Sequence, residues 1–279
     1  MEKSISDFEK IFVVGVCRDV ESTLALELEV IRSAILHENI DFFIVESDSK
    51  DATSSILKEY SEKWNQFSFV NLGSLCDRFR ERTNRLAYCR NLYMDYLEAK
   101  AGENDLVVVA DLDGANLDLT SKSLSHIFSR DDWHACTANQ EFAYFDIWAL
   151  RHHTWCPGDW ILEYRSLVQN GASQRKALKQ ALYDKMIKIS RDSEWIEVDS
   201  AFGGLGVYKF SAIRGLRYRG EDLDNPVCEH VPFHLALRKR RGRIFIVPAM
   251  INCKKSSHTE ILRLSVKLKT SFWRIFKGN

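Results

Sequence analysis

Leu106–Gly114, LVVVADLDG, sets a run of apolar, largely β-branched residues directly against two aspartates one residue apart. Side chains alternate along an extended chain, so Asp111 and Asp113 fall on the same side of it. Acidic residues behind a strand are common turn formers, and Gly114 would supply the turn. Paired hard oxygen donors also suit Mg2+ or Mn2+, which keep open positions for phosphate oxygens. The surrounding chain is what weighs one reading against the other.

Ile11–Val16, within KIFVVGVCRDV, reads as a buried strand, and TLALELEVIRSAILH behind it carries apolar residues at helical spacing. IDFFIVESDSKDATSSILKEYSEKW repeats the scheme. It gives a strand ending at Val45, an acidic loop in which Asp51 or Ser49 is the expected N-cap, and a helix. FSFVNLG is a third strand, and RERTNRLAYCRNLYMDYLEAKA a long helix closed near Gly102. The stretch around Asp111 is then the fourth strand.

Strands alternating with helices predict a parallel sheet with crossover helices, and such sheets gather ligands at the carboxyl ends of their strands. Those ends carry Arg18-Asp19, Glu46-Ser47-Asp48 and Asp111-Asp113. Beyond residue 130 the alternation loosens. WHACTANQ and YFDIWALR read as antiparallel strands, GASQRKALKQALYDKMIKIS as a helix, and WIEVDSAFGGLGVYKF as strand, glycine turn and strand. CEHVPFHLALRKR reads as a short helix and RIFIVPAMINC as a last strand. The expectation is one α/β domain over residues 1–279. It has a Rossmann-like nucleotide-binding half at 10–115, a mixed acceptor half at 116–260, and a basic amphipathic tail at 261–279.

Hydrophobic residues make up 45% and charged residues 28%, an ordinary globular balance rather than a disordered one. A formal net charge of zero gives no global attraction to nucleic acid, so none is expected as a partner. The seven cysteines are scattered with no C-x-x-C pair, which points to reduced thiols in a cytoplasmic protein. The polar MEKSISDFEK start and the lack of a long apolar window fit the same compartment.

Taken in order, several phrases resemble the GT-A glycosyltransferases. IVESDSKDATSSIL is similar to their second-strand signature, RLAYCRNLYMDYL to the helix before their metal motif, and VVVADLDG to the metal motif itself. YFDIWALR, DSAFGGLGVYK and CEHVPFHLAL resemble the capsule-associated mannosyltransferases and related bacterial and viral enzymes. The resemblance covers roughly residues 10–260. It implies a GT-A fold and transfer of a sugar from a UDP- or GDP-sugar to a glycan or lipid-linked acceptor in polysaccharide synthesis, with Mn2+ or Mg2+ as cofactor.

Carried over by position, Asp113 would bind the metal directly, and Asp111 would contact the donor or the metal. Val16, Arg18, Glu46 and Asp48 would line the nucleoside pocket. Arg85 and Arg90 would face the diphosphate, where a planar guanidinium fork suits phosphate oxygens, with Asn91 close by. Gly203 and Gly204 would let the backbone approach the donor sugar. Glu229, with His230 as orienter or substitute, would serve as base, and Glu221-Asp222 are rivals for that role. His258 would complete the metal shell.

The clusters LRKRRGR and Arg263–Asn279 are basic, the second interleaved with Leu262, Val266, Phe272, Trp273 and Phe276. Such a tail suits peripheral contact with an anionic membrane face, or packing on the domain as an amphipathic helix. Two other functions stay open. One is a haloacid-dehalogenase-like phosphatase with Asp111 as nucleophile, although Ala115 stands where its usual threonine would be. The other is a sugar-nucleotide-binding module without catalysis.

Overall fold

The apolar runs become strands, as their composition requires. In the computed structural model, which describes residues 4–222 and 225–254, β1 (Ile11–Cys17), β2 (Ile40–Glu46), β3 (Phe67–Asn71) and β4 (Leu106–Asp111) are the first four. Helices α1 (Leu24–Ala34), α2 (Thr53–Lys63) and α3 (Arg82–Lys100) cross between them. The second half supplies β5 (Ala135–Gln140), β6 (Ile196–Val198), β7 (Leu205–Lys209), the short hairpin β8 (Glu221–Asp222) and β9 (Asn225–Pro226), and the long β10 (Ile244–Cys253). Its helices are α4 (Ser121–Ser125), α5 (Trp160–Gln169), α6 (Gln174–Ala181), α7 (Phe210–Ile213) and α8 (His230–Lys239).

Among the described residues, eight strands join one sheet in the order β3-β2-β1-β4-β7-β5-β10-β6. The first four are mutually parallel; β7 runs antiparallel to β4 and β5, and β10 lies parallel to β5. Register aligns the ends. Val16 pairs with Val45 and with Asp111, Cys17 with Glu46, and Cys253 with Gln140. Because β7 is reversed, it is its start that meets β4, with Leu205 opposite Ala110. One edge of the sheet therefore collects the ends of β1, β2, β4, β5 and β10 together with the turn into β7.

Each central strand feeds two cores. Phe12, Val14, Val107 and Val109 pack on the face covered by Tyr93, Met94 and Leu97 of α3, whereas Ile11, Val13, Leu106 and Val108 meet Leu24, Leu28 and Ile31 of α1. A strand buried on both faces must be apolar at every position, which is why these stretches read as unbroken runs.

Three expectations change. Tyr144–Leu150 is a turn-bearing loop rather than a strand: Tyr144 N–H donates to the Ile187 carbonyl, and the Asp146 carboxylate takes the Gly203 and Ala149 amides. These bonds occupy groups that a strand ladder would use. The helix expected in residues 171–190 is only α6 followed by a 3-10 turn at Tyr183–Lys185, and α5 was not anticipated. Ala52, not Asp51 or Ser49, holds the N-cap position of α2. Asp51 still accepts the Thr53 amide, while Ser49 Oγ accepts the Asp19 amide.

All seven cysteines are free, with Cys76 alone exposed. Among the described residues no helix is long and apolar enough to cross a membrane.

Gly15 lies in β1 between β2 and β4, and a Cβ there would fall 2.7 Å from the Ala110 carbonyl oxygen and 3.1 Å from Leu112. Backbone cannot yield as a side chain can. Gly15→Ala is expected to cost about 1–3 kcal/mol by overpacking, read as a lower urea midpoint at unchanged slope.

Candidate active site

The site begins with Asp111, the last residue of β4. Its amide donates to the Gly204 carbonyl, and its own carbonyl accepts from the Asn116 side chain at 2.7 Å, so the backbone is fixed on both sides. Its carboxylate is about one-third exposed, and Arg90 Nη2 donates to Oδ1 at 2.8 Å. Arg90 itself is 2% exposed. Its Nε donates to Glu229 Oε1 at 2.8 Å and Nη1 to the Tyr93 hydroxyl at 3.3 Å, with the Phe202 and Tyr218 rings 5.4 and 5.7 Å from its guanidinium carbon.

Asp113 is open to solvent but crowded by the walls around it. That burial, and then the charge of Asp111, pushes its carboxyl up to about 6; its own amide, that of Ala115 and the charge of Arg82 pull the other way. Arg82 is the first residue of α3 and is exposed.

The turn after Asp113 is built around a carboxylate from another element. Glu27 of α1 is fully buried and accepts the Gly114 amide at 2.7 Å, the Asn116 amide at 2.8 Å and the Asn116 side chain at 3.1 Å. Burial pushes Glu27 up to about 7, against the pull of those donors. Gly114 needs its glycine, with φ at 90° and the Thr23 methyl 3.3 Å from where a Cβ would stand.

On the far side, Asp146 is half-buried. Its Oδ2 accepts the Gly203 amide at 2.9 Å and its Oδ1 the Ala149 amide at 3.3 Å. Burial first, and then the charges of Asp111 and Glu229, push its carboxyl up to about 6 against those two donors.

Several residues named from the sequence stand elsewhere than expected. Arg90 does not present a phosphate fork, because its donors are committed inside the protein. Arg85 is half-buried and turned to the Phe79 and Arg80 carbonyls. Both ends of the Asn91 amide bind the backbone of Tyr218. Glu46 is 1% exposed and holds its own loop through the Ser49 amide and the Ser54 hydroxyl, so it lines no pocket. Val16, half-buried, and Arg18, exposed beside Asp19, do stand at the strand edge. Asp48, in a left-handed conformation at φ 62°, accepts the Leu75 and Cys76 amides.

Gly203 and Gly204 are buried, with φ of 69° and 83°. A Cβ on either would lie 2.8 Å from a neighbour, the Ala138 carbonyl oxygen or the Ala115 methyl, so they serve backbone packing rather than ligand approach. Glu229, at the N-cap position of α8, is 3% exposed and paired with Arg90, which removes it from any acceptor. His230 is sealed too. It stacks on Phe202 at 3.8 Å, and neither ring nitrogen has a hydrogen-bond partner among the described residues, although Nε2 lies 3.8 Å from Glu229 Oε1. Burial, then the Arg90 charge, disfavours its charged form. Glu221 is exposed and accepts from the Asn84 side chain, whereas the Asp222 side chain, His258 and the tail from 261 lie outside the described residues.

Asp111 and Asp113 fit a divalent cation. Two carboxylates at one strand end, the charge of Asp111 disfavouring that of Asp113, offer hard oxygen donors whose crowding a cation would relieve. Among the described residues no group of three or more His, Cys, Asp or Glu side chains forms a ready metal cage. Such a cation would keep several positions for other ligands.

A mixed sheet whose fourth parallel strand lies beside a reversed one has the GT-A fold. Over 88% of this chain the structure resembles a mannosyltransferase from Pyrobaculum calidifontis solved with GDP-mannose and Mn2+, at a TM-score of 0.50 and 12% identity. The chain spans 56% of that protein's length. Glucosyl-3-phosphoglycerate synthase from Mycobacterium tuberculosis, solved with UDP, is also similar, at a TM-score of 0.43 and 13% identity over 88% of this chain and 69% of that one. No family model matches the sequence, and no curated protein does. The fold also parts from the phosphatase reading, whose motif opens the first strand of its sheet rather than closing the fourth.

Two outcomes are expected. Arg90→Met leaves Glu229 buried without its counter-charge and should destabilise by about 3–5 kcal/mol in urea unfolding. Glu27, raised from 4.5 to about 7, keeps a proton in the folded state that the unfolded chain has already released. Folded protein binds more protons in that window, so metal-free stability should fall as pH rises through it. Glu27→Gln should flatten the slope, and equal slopes in the two proteins would count against the assignment.

Proposed function

We propose that this chain is a metal-dependent glycosyltransferase of the hexosyltransferase type. It would move a sugar from a GDP- or UDP-sugar to a glycan or lipid-linked acceptor in polysaccharide synthesis, working at the cytoplasmic side. The observation that carries the reading is the Asp111–Asp113 pair at the strand edge of a GT-A sheet, Asp111 half-buried and Asp113 exposed, where one guanidinium, that of Arg90, pairs with both Asp111 and Glu229. The mannosyltransferase solved with GDP-mannose and Mn2+ supports the same donor chemistry.

In this reading Asp113 and Asp111 would hold Mn2+ or Mg2+. When bound, the cation neutralises charge on the departing diphosphate. Val16, Arg18 and Asp48 stand on the nucleoside side of the edge. Arg82 takes the phosphate-facing role expected of Arg85 and Arg90, being exposed with its charge felt at Asp113. Arg90 and Glu27 position the carboxylates, one by charge and the other by shaping the turn. The basic segment after residue 261 would supply any contact with a membrane surface.

GDP or UDP with Mn2+ should raise the melting temperature, since ligand at 100-fold over its dissociation constant adds about 2.7 kcal/mol. Asp113→Asn should abolish the shift while leaving the metal-free melt in place. A wild-type melt unmoved by either nucleotide with Mn2+ would overturn the reading.

A further inference from the structure

We propose that Asp146 is the carboxylate that receives the acceptor hydroxyl, a catalytic residue in the loop after β5 rather than at the start of α8. The inference rests on the glycosyltransferase reading. Besides Asp113, which belongs to the cation, Asp146 lies within the charge field of Asp111 and Glu229, and accessibility and pairing separate these three carboxylates. Glu229 is 3% exposed with Oε1 bound to Arg90, and His230 beside it is 2% exposed, so neither touches a ligand. Asp111 is engaged by Arg90 and belongs to the cation. Asp146 is the half-buried one that remains.

Its placement follows from one turn. Asp146 accepts the Gly203 amide, and the next residue, Gly204, accepts the Asp111 amide through its carbonyl. Two adjacent residues of the buried turn thus tie Asp146 to the cation side of the site. Both of its oxygens are pinned by backbone N–H groups, and each keeps a lone pair for a substrate hydroxyl. A group held by backbone alone needs no rearrangement when the acceptor arrives.

In the step, the acceptor hydroxyl proton passes to an Asp146 oxygen as the hydroxyl oxygen forms its bond to the anomeric carbon. The bond from that carbon to the phosphate oxygen breaks, and its electron pair leaves with the nucleoside diphosphate. Water in place of the acceptor gives donor hydrolysis by the same path.

The test uses the full chain with Mn2+, GDP-mannose and UDP-glucose as donors and water as acceptor. Nucleotide release is measured beside calorimetric binding of GDP and UDP with Mn2+. Asp146→Asn should lower turnover about 10²–10⁴-fold, with nucleotide affinity held within about three-fold and partial recovery in Asp146→Glu. Turnover within about ten-fold of wild type would overturn the assignment, and so would parallel loss of binding, which marks a prop for the glycine turn. Wild type that binds nucleotide with Mn2+ yet hydrolyses neither donor also counts against Asp146. Wild type that binds neither nucleotide removes the glycosyltransferase reading instead.

Discussion

The Arg90 guanidinium is withdrawn from water and reaches oxygens of three different elements: Asp111 at the end of β4, Glu229 before α8 and Tyr93 on its own helix. Burying an ion costs several kcal/mol unless paired charges offset it, so its carboxylates cannot be exchanged casually. The pairing also crosses the molecule. Arg90 and Asp111 belong to the regular βα half and Glu229 to the irregular half, so this charge adds a buried tie to the β4–β7 pairing that already joins them. Two carboxylates on a single guanidinium leave a net negative site before Asp113 and Asp146 are counted. Such a surplus draws a cation.

How much of this was legible in the sequence differs by element. Unbroken apolar runs gave β1, β2 and β4 their places, because strands packed on both faces have no polar option. The place of Asp111 was readable as well, since an apolar run that stops at an acid marks a strand end. Reading failed where a side chain's partner is remote. Arg90 looks like any helical arginine until Glu229, far away in the chain, is brought to it.

Glu27 was overlooked because glutamate is ordinary in a helix. Its phase, between Leu24, Leu28 and Ile31 on the buried face, was the available signal. Asp146 was hidden by neighbours: aromatic and apolar residues on both sides imitate a strand, whereas its carboxylate holds a turn. The glycines before β7 suggest room for a ligand, whereas their positive φ serves the turn. What crowds them is Ala138 and Ala115.

Glu27 and Thr23 give the cleft a mechanical property. Helix α1 follows the β1 loop that carries Arg18, its carboxylate grips the amides of Gly114 and Asn116, and the Thr23 methyl abuts Gly114. The β1 loop and the Asp113 turn are therefore fastened to one helix. A displacement of the β1 loop carries through α1 to the acidic turn, and the two stretches of the strand edge move as one piece.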